Sequence, residues 1–340
     1  MPQIITRNDL PVQGHWQKEL ANAIKTPSEL IKILNLNEKD FIEGFIARQS
    51  FPMLVPLPFV KKMQVGDKHD PLLRQVLPLK EELLEVEGFG PDPLEEHNTA
   101  APGLLHKYKS RVLFIVKGGC AVNCRYCFRR HFPYQDNSPN KNEWHTALDY
   151  IRQHTEINEV ILSGGDPLMA KDEHLDWLLT QLERIPHLTR VRLHTRLPVV
   201  IPSRLTDALL SRLQQSSLKA IMVLHINHAN ELDQALTAAL QRTRRYGITL
   251  LNQSVLLKGI NDTSADLINL SEALFAADVL PYYLHQLDKV AGAAHFEVDE
   301  QQAKQLVKAM LHELPGFLVP KLVREIAGEK SKTPLDLFHP

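Results

Sequence analysis

The apolar residues of this chain follow two regimes. Up to about residue 105 they recur at helical spacing in HWQKELANAI, TPSELIKILNL and EKDFIEGFIARQSF, with Ser, Thr or Asn ahead as caps, which predicts short helices. The Pro-rich stretches FPMLVPLPF and GFGPDPLEEHNTAAPG predict an extended, loop-rich connection. From Arg111 onward, β-branched runs take over: VLFIV (112–116), EVILSGG (159–165), RVRLHT (190–195), KAIMVLHI (219–226), TLLNQSVLL (249–257) and LPYYLHQ (280–286). Amphipathic stretches such as DEHLDWLLTQLERI, SRLTDALLSRLQQ and ANELDQALTAALQRTRRYG separate them. Apolar strands alternating with helices predict βα units and a parallel sheet. Six units are fewer than the eight of a closed barrel. The predicted fold is therefore α/β, an open, partial (β/α)6 TIM-like barrel over 106–340. An α-helical N-terminal region and extended linker fill 1–105. PGFLVPKLVREI is a candidate further strand.

Composition narrows the partners. The 340 residues are 44% hydrophobic and 23% charged, an ordinary globular balance. Lys plus Arg number 39 and Asp plus Glu 40, leaving a net charge of -1. That balance argues against nucleic acid or an anionic membrane as a partner. No apolar run approaches the roughly 20 residues of a membrane span. MPQIITRNDLPVQGHW lacks the apolar core of a secretory signal, so the expected location is cytoplasmic. The three Cys residues all lie between 120 and 127. Their odd number and tight spacing suit a reduced thiolate site, not a disulfide framework.

Parallel barrels carry their chemistry at the C-terminal ends of the strands. Polar residues there are Cys120, Ser163-Gly164-Gly165-Asp166, His194-Thr195-Arg196, His225, Asn227, Gln253 and Asp288. The segment KGGCAVNCRYCFRRHF spaces Cys120, Cys124 and Cys127 as C-x3-C-x2-C. Three thiolates on one loop suit a 4Fe–4S cube whose fourth iron stays open to another ligand, since the chain has no fourth Cys. Zinc completed by His131 is the competing reading, although structural zinc usually takes paired knuckles and four protein ligands.

C-x3-C-x-aromatic-C after the first barrel strand resembles the radical S-adenosylmethionine (SAM) superfamily. The resemblance implies that SAM chelates the open iron and yields a 5′-deoxyadenosyl radical on reduction. SGGDP at 163–167 is similar to that superfamily's glycine-rich motif, which implies that Ser163, Gly164, Gly165 and Asp166 line the SAM site. HKYKSRVLFIVKGGCAVNCRYCFRRHF, LSGGDPL, TRLPVVIP, HINHANE, LNQSVLLKGIND and PYYLHQLD together resemble the lysine 2,3-aminomutase family. DPLLRQVLP, PGLLHKY and KSKTPLDL resemble its short branch, which serves elongation factor P modification.

The family resemblance implies pyridoxal phosphate held on Lys332, the catalytic lysine, in S-K-T-P. The family's glycine run before it is here AGEKS, so the local turn must differ. Lys107 and Arg111 match positions on the phosphate side, and His225 and Gln253 match contacts to SAM or pyridoxal phosphate. Arg129 matches the fork for a substrate carboxylate, with Arg130 as its rival in the chain. Asp288 matches one of two acids for the lysine ε-ammonium, and Glu325 falls at the other, one methylene longer. The implied activity is conversion of L-lysine to β-lysine, with (R)-β-lysine passed to a ligase acting on elongation factor P. A carrier such as flavodoxin would supply the electron. The alternatives are an aminomutase with another role or substrate and a non-catalytic iron–sulfur or zinc protein.

Overall fold

The structure, a computed structural model, describes residues 15–96, 100–133 and 141–338. The sequence features at 1–14 and 97–99 and the last two residues of the tail lie outside these. Among the described residues, nine strands form one sheet in chain order: β1 Leu104–Tyr108, β2 Arg111–Lys117, β3 Glu159–Gly164, β4 Arg190–Thr195, β5 Lys219–Leu224, β6 Thr249–Val255, β7 Leu280–His285, β8 Lys321–Arg324 and β9 Thr333–Pro334. Strands β2 to β8 pair in parallel, and β1 and β9 add antiparallel edges. β1 and β9 end the strand order, so the barrel is open.

The helices follow the same order. The N-terminal region holds α1 His15–Ala21, α2 Pro27–Ile33, α3 Leu57–Val60 and α4 Pro71–Arg74. The barrel holds α5 Lys141–Gln153, α6 Asp172–Glu183, α7 Leu197–Val200, α8 Asp207–Gln214, α9 Gln234–Arg245, α10 Ser264–Ala276 and α11 Glu300–Glu313. The short α7 precedes α8 within one connection, so six crossovers join seven parallel strands. Thr206, Asp233, Thr263 and Asp299 each cap the next helix by accepting a backbone N–H three residues on, which fixes where α8 to α11 begin.

One expected helix is not formed. EKDFIEGFIARQSF forms 3-10 turns at Glu38–Asp40 and Ile42–Gln49, not an α-helix. Gly44 in its middle lies so close to Leu79 and Lys80 that a Cβ would sit 2.8 Å from their backbone. Glycine weakens an α-helix, and here the close approach requires it. HKYKSR, which carries no strand signal in the sequence, forms a hairpin: Tyr108 pairs with Arg111 across a two-residue turn. Lys107 thus lies in β1 and Arg111 opens β2. The boundary expected at residue 105 falls inside β1.

The N-terminal region shares the barrel's core. One apolar cluster runs from Trp16, Leu30 and Phe59 through Phe114, Leu178 and Leu240. Polar ties reinforce it: Lys62 Nζ donates to the carbonyls of Val199 at 3.0 Å and Glu231 at 2.7 Å. Among the described residues, no helix is long and apolar enough to cross a membrane.

Candidate active site

The Gly-Gly turn after β3 shapes the cysteine loop. The β2–β3 register shifts between Ile115 and Lys117, bringing Lys117 opposite Gly164. Gly164 has φ +116°, a region that favours glycine, and a Cβ there would strike the Lys117 carbonyl. Gly165 donates to the Lys117 carbonyl at 2.7 Å, and Asp166 N–H to that of Gly119 at 3.0 Å. The two motifs meet backbone to backbone immediately before Cys120.

Asp166 locks this turn to the next strand end. Its carboxylate accepts from Thr195 Oγ1 at 2.8 and 2.9 Å and from the N–H groups of Leu168, Arg196 and Leu197 at 3.0, 2.8 and 2.9 Å. Burial raises its pKa, and these donors counter part of the rise. With its oxygens so occupied, Asp166 acts through the backbone it holds in place.

The three cysteines are free, and their charges act on one another. Burial pushes the Cys120 thiol well up, and the charges of Cys127, Asp166 and Cys124 add to this. Cys127 is pushed up to about 11 by burial and by Cys124, against the Arg129 amide. Arg196 Nη1 donates to Cys124 Sγ at 3.1 Å. Among the described residues, no three His, Cys, Asp or Glu side chains are grouped to hold a single metal ion. His131 Nε2 lies 3.3 Å from the Ala291 carbonyl. The donor set fits a multi-iron cluster bound through one thiolate per iron.

Three imidazoles stand at strand ends of the barrel: His194 in β4, His225 just after β5 and His285 at the end of β7. Gln253 Nε2 lies 3.1 Å from His225 Nε2, and the His194 and His225 rings meet edge to face at 6.1 Å. Burial drives His225 down to about 3 and holds His194 and His285 well below the ordinary value. All three are neutral at pH 7. Gln253 Oε1, His194 Nε2 and His285 Nε2 are buried without a hydrogen-bond partner, so the barrel interior offers unmatched polar atoms to a ligand.

The charged residues sort into four groups. Glu325 lies between two lysines: Lys332 Nζ donates to Oε1, and Lys107 Nζ donates to Oε2 at 3.1 Å. Burial would raise the Glu325 pKa, but these ammonium groups outweigh it and hold the carboxyl below its usual range. Arg324 turns away to Gln286 and Glu300. Asp288 is pushed up to about 7 by burial, against the pull of Lys332 and with added repulsion from Glu325 and Glu96. Arg111 stacks on Tyr108 at 3.7 Å, and burial raises that phenol to about 12.

The two neighbouring arginines take opposite directions. Arg130 Nη2 reaches Glu82 Oε2 at 2.9 Å and its Nη1 the Arg125 carbonyl at 3.0 Å, on the N-terminal side. Arg129 faces the glycine turn, its Nη1 donating to Ser163 Oγ at 3.4 Å and the Gly164 carbonyl at 3.3 Å, while Glu96 takes the side-on edge of its guanidinium. The sequence reading missed Glu96 because it sits in a loop without periodicity. It noted Arg196 at a strand end but gave it no role.

An open parallel barrel with three cysteines after its first parallel strand, braced by a Gly-Gly turn after the second, defines a radical SAM enzyme, and residues 114–270 match the Radical SAM superfamily. The chain belongs to the lysine 2,3-aminomutase family within it. It is 54% identical to L-lysine 2,3-aminomutase of Escherichia coli over 99% of this chain and 98% of that one. The Haemophilus influenzae enzyme of the same name is 55% identical over 94% of this chain and 95% of its own. That of Clostridium subterminale is 34% identical over 94% of this chain and 77% of its own. Membership carries a 4Fe–4S cluster and SAM.

Proposed function

We propose that the protein is an isomerase that converts L-lysine to β-lysine with SAM, the 4Fe–4S cluster and pyridoxal phosphate. The observation that carries this is the convergence of an amine, Lys332, with two acids, Glu325 and Asp288, in a barrel beside three neutral imidazoles. When bound, SAM supplies the radical that takes a hydrogen atom, and pyridoxal phosphate carries the migrating amino group.

The chain's own residues bind and orient. Lys332 would hold pyridoxal phosphate, and Glu325 accepts from its Nζ, positioning the amine. Lys107 and Arg111 offer cations to the phosphate at the β1–β2 hairpin. Ser163, Gly164, Gly165, Asp166, His225 and Gln253 form the SAM side. Arg129 takes the substrate carboxylate, and Asp288 with Glu325 takes the ε-ammonium. Two acids at that end select a basic amino acid over a neutral one. We further infer that the product is (R)-β-lysine, passed in the cytoplasm to a ligase acting on elongation factor P. A flavodoxin-type carrier supplies the electron.

The test is an anaerobic assay of the iron-loaded protein with SAM, pyridoxal phosphate, reductant and L-lysine, following β-lysine by mass spectrometry. Product that vanishes in Cys124→Ala and Lys332→Ala supports the reading. SAM cleavage to 5′-deoxyadenosine without β-lysine overturns the lysine assignment.

A further inference from the structure

We propose that Arg196 sets the reduction potential of the cluster held by Cys120, Cys124 and Cys127, through a charged hydrogen bond to the Cys124 sulfur from a position fixed by Gln75 and Glu231. The inference rests on family membership and not on the identity of the amino-acid substrate.

The geometry is specific. Arg196 is 7% exposed and lies just beyond β4. Its Nη1 donates to Cys124 Sγ at 3.1 Å, while Nη2 donates to Gln75 Oε1 at 2.7 Å and Glu231 Oε2 at 3.2 Å. Its backbone N–H is held by Asp166 Oδ2 at 2.8 Å. Tyr126 lies under the guanidinium at 5.6 Å and Phe59 at 5.7 Å. These partners are themselves secured. Glu231 Oε1 accepts from Gln75 Nε2 at 3.2 Å and from the N–H groups of Asn227 at 2.9 Å and His228 at 3.1 Å. The Gln75 carbonyl also accepts from the Arg125 N–H at 2.9 Å, between the second and third cysteines.

The physical consequence follows from charge. Three thiolates make the bound cluster anionic, and one-electron reduction by an external donor adds another negative charge. A buried cation beside one sulfur stabilises the reduced form more than the oxidised form. Hydrogen bonds to cluster sulfurs act in the same direction, raising the potential. Burial strengthens both effects. Glu231 opposes them by placing a carboxylate behind the same guanidinium. Arg196 is thus a positioning and tuning residue, and Gln75 gives the N-terminal region a part in holding it.

The experiment is an anaerobic redox titration of the iron-loaded holoprotein, reading the electron paramagnetic resonance signal of the reduced cluster alongside iron content. In Arg196→Gln, with iron content unchanged, the ratio of reduced to oxidised cluster at a fixed potential should fall about tenfold. That is a shift of about 59 mV for a one-electron couple, toward more negative potential. Arg196→Lys keeps the charge without the fork and should lie between this variant and wild type. Glu231→Gln removes the opposing charge and should shift the potential the other way. Unchanged potential in fully loaded Arg196→Gln overturns the proposal. So does a purely structural outcome, in which Arg196→Gln loses iron and Glu231→Gln leaves the potential unmoved.

Discussion

Arg129 and Glu96 form a side-on ion pair, with Nε donating to Oε2 at 2.6 Å and Nη2 to Oε1 at 3.0 Å. This is the geometry in which an arginine grips a free amino acid's carboxylate. Under the proposed function the substrate competes with Glu96 for that edge. Glu96→Gln weakens the internal rival by about 1 kcal/mol, so the KM for L-lysine should fall roughly fivefold. Steady-state kinetics checks this, and an unchanged or higher KM would show that Glu96 and substrate do not share the fork.

The ionisation of Asp288 predicts a pH dependence of binding. Its carboxyl is pushed up to about 7, so it is mostly protonated below that pH and ionised above it. A cationic substrate end binds the ionised form. Affinity for L-lysine should therefore rise with pH through about 7, by at most about tenfold per pH unit for one proton released. Calorimetry in buffers of different ionisation enthalpy reads that proton directly. In Asp288→Asn the step should disappear.

Gly165 separates packing from ligand chemistry. A Cβ there would lie 2.5 Å from the Gly119 carbonyl oxygen and 2.7 Å from its carbon. Gly165→Ala must push the cysteine loop away from the β3 turn, at a cost of about 2–4 kcal/mol. We expect a lower unfolding midpoint and a loss of iron per chain, although every cysteine remains. Full iron loading with wild-type stability would contradict the backbone contact.

Lys332 sits in the tail between β8 and β9, and its loss leaves Glu325 still paired with Lys107. Lys332→Ala should therefore fold and load iron normally while β-lysine formation falls by about a thousandfold or more, as for loss of a covalent-catalysis residue. Borohydride trapping of the cofactor followed by peptide mass mapping locates the attachment. Label on Lys330, the exposed neighbour, would reassign the role.

Much of the barrel was legible because its signals are local. RVRLHT at 190–195 becomes β4 with the same limits. Elements that depend on distant contacts were harder to read. The segment around Gly44 carries helical spacing, yet its backbone must approach Leu79 and Lys80. The β1–β2 hairpin hides in HKYKSR, whose charges resemble a solvated turn more than a strand edge.

The sequence by itself determined the alternation of strands and helices, the three-cysteine loop and the glycine turn, because each is written in residues within a few positions of one another. Tertiary structure alone decided which charge meets which. It sent Arg130 to Glu82 and left Arg129 with Glu96, set Glu325 between Lys107 and Lys332, and brought Arg196 to the Cys124 sulfur. The physical reason is that such pairs join loops from different strand ends. Their partners are fixed by the curvature and register of the sheet, to which neighbouring residues in the chain carry no direct signal.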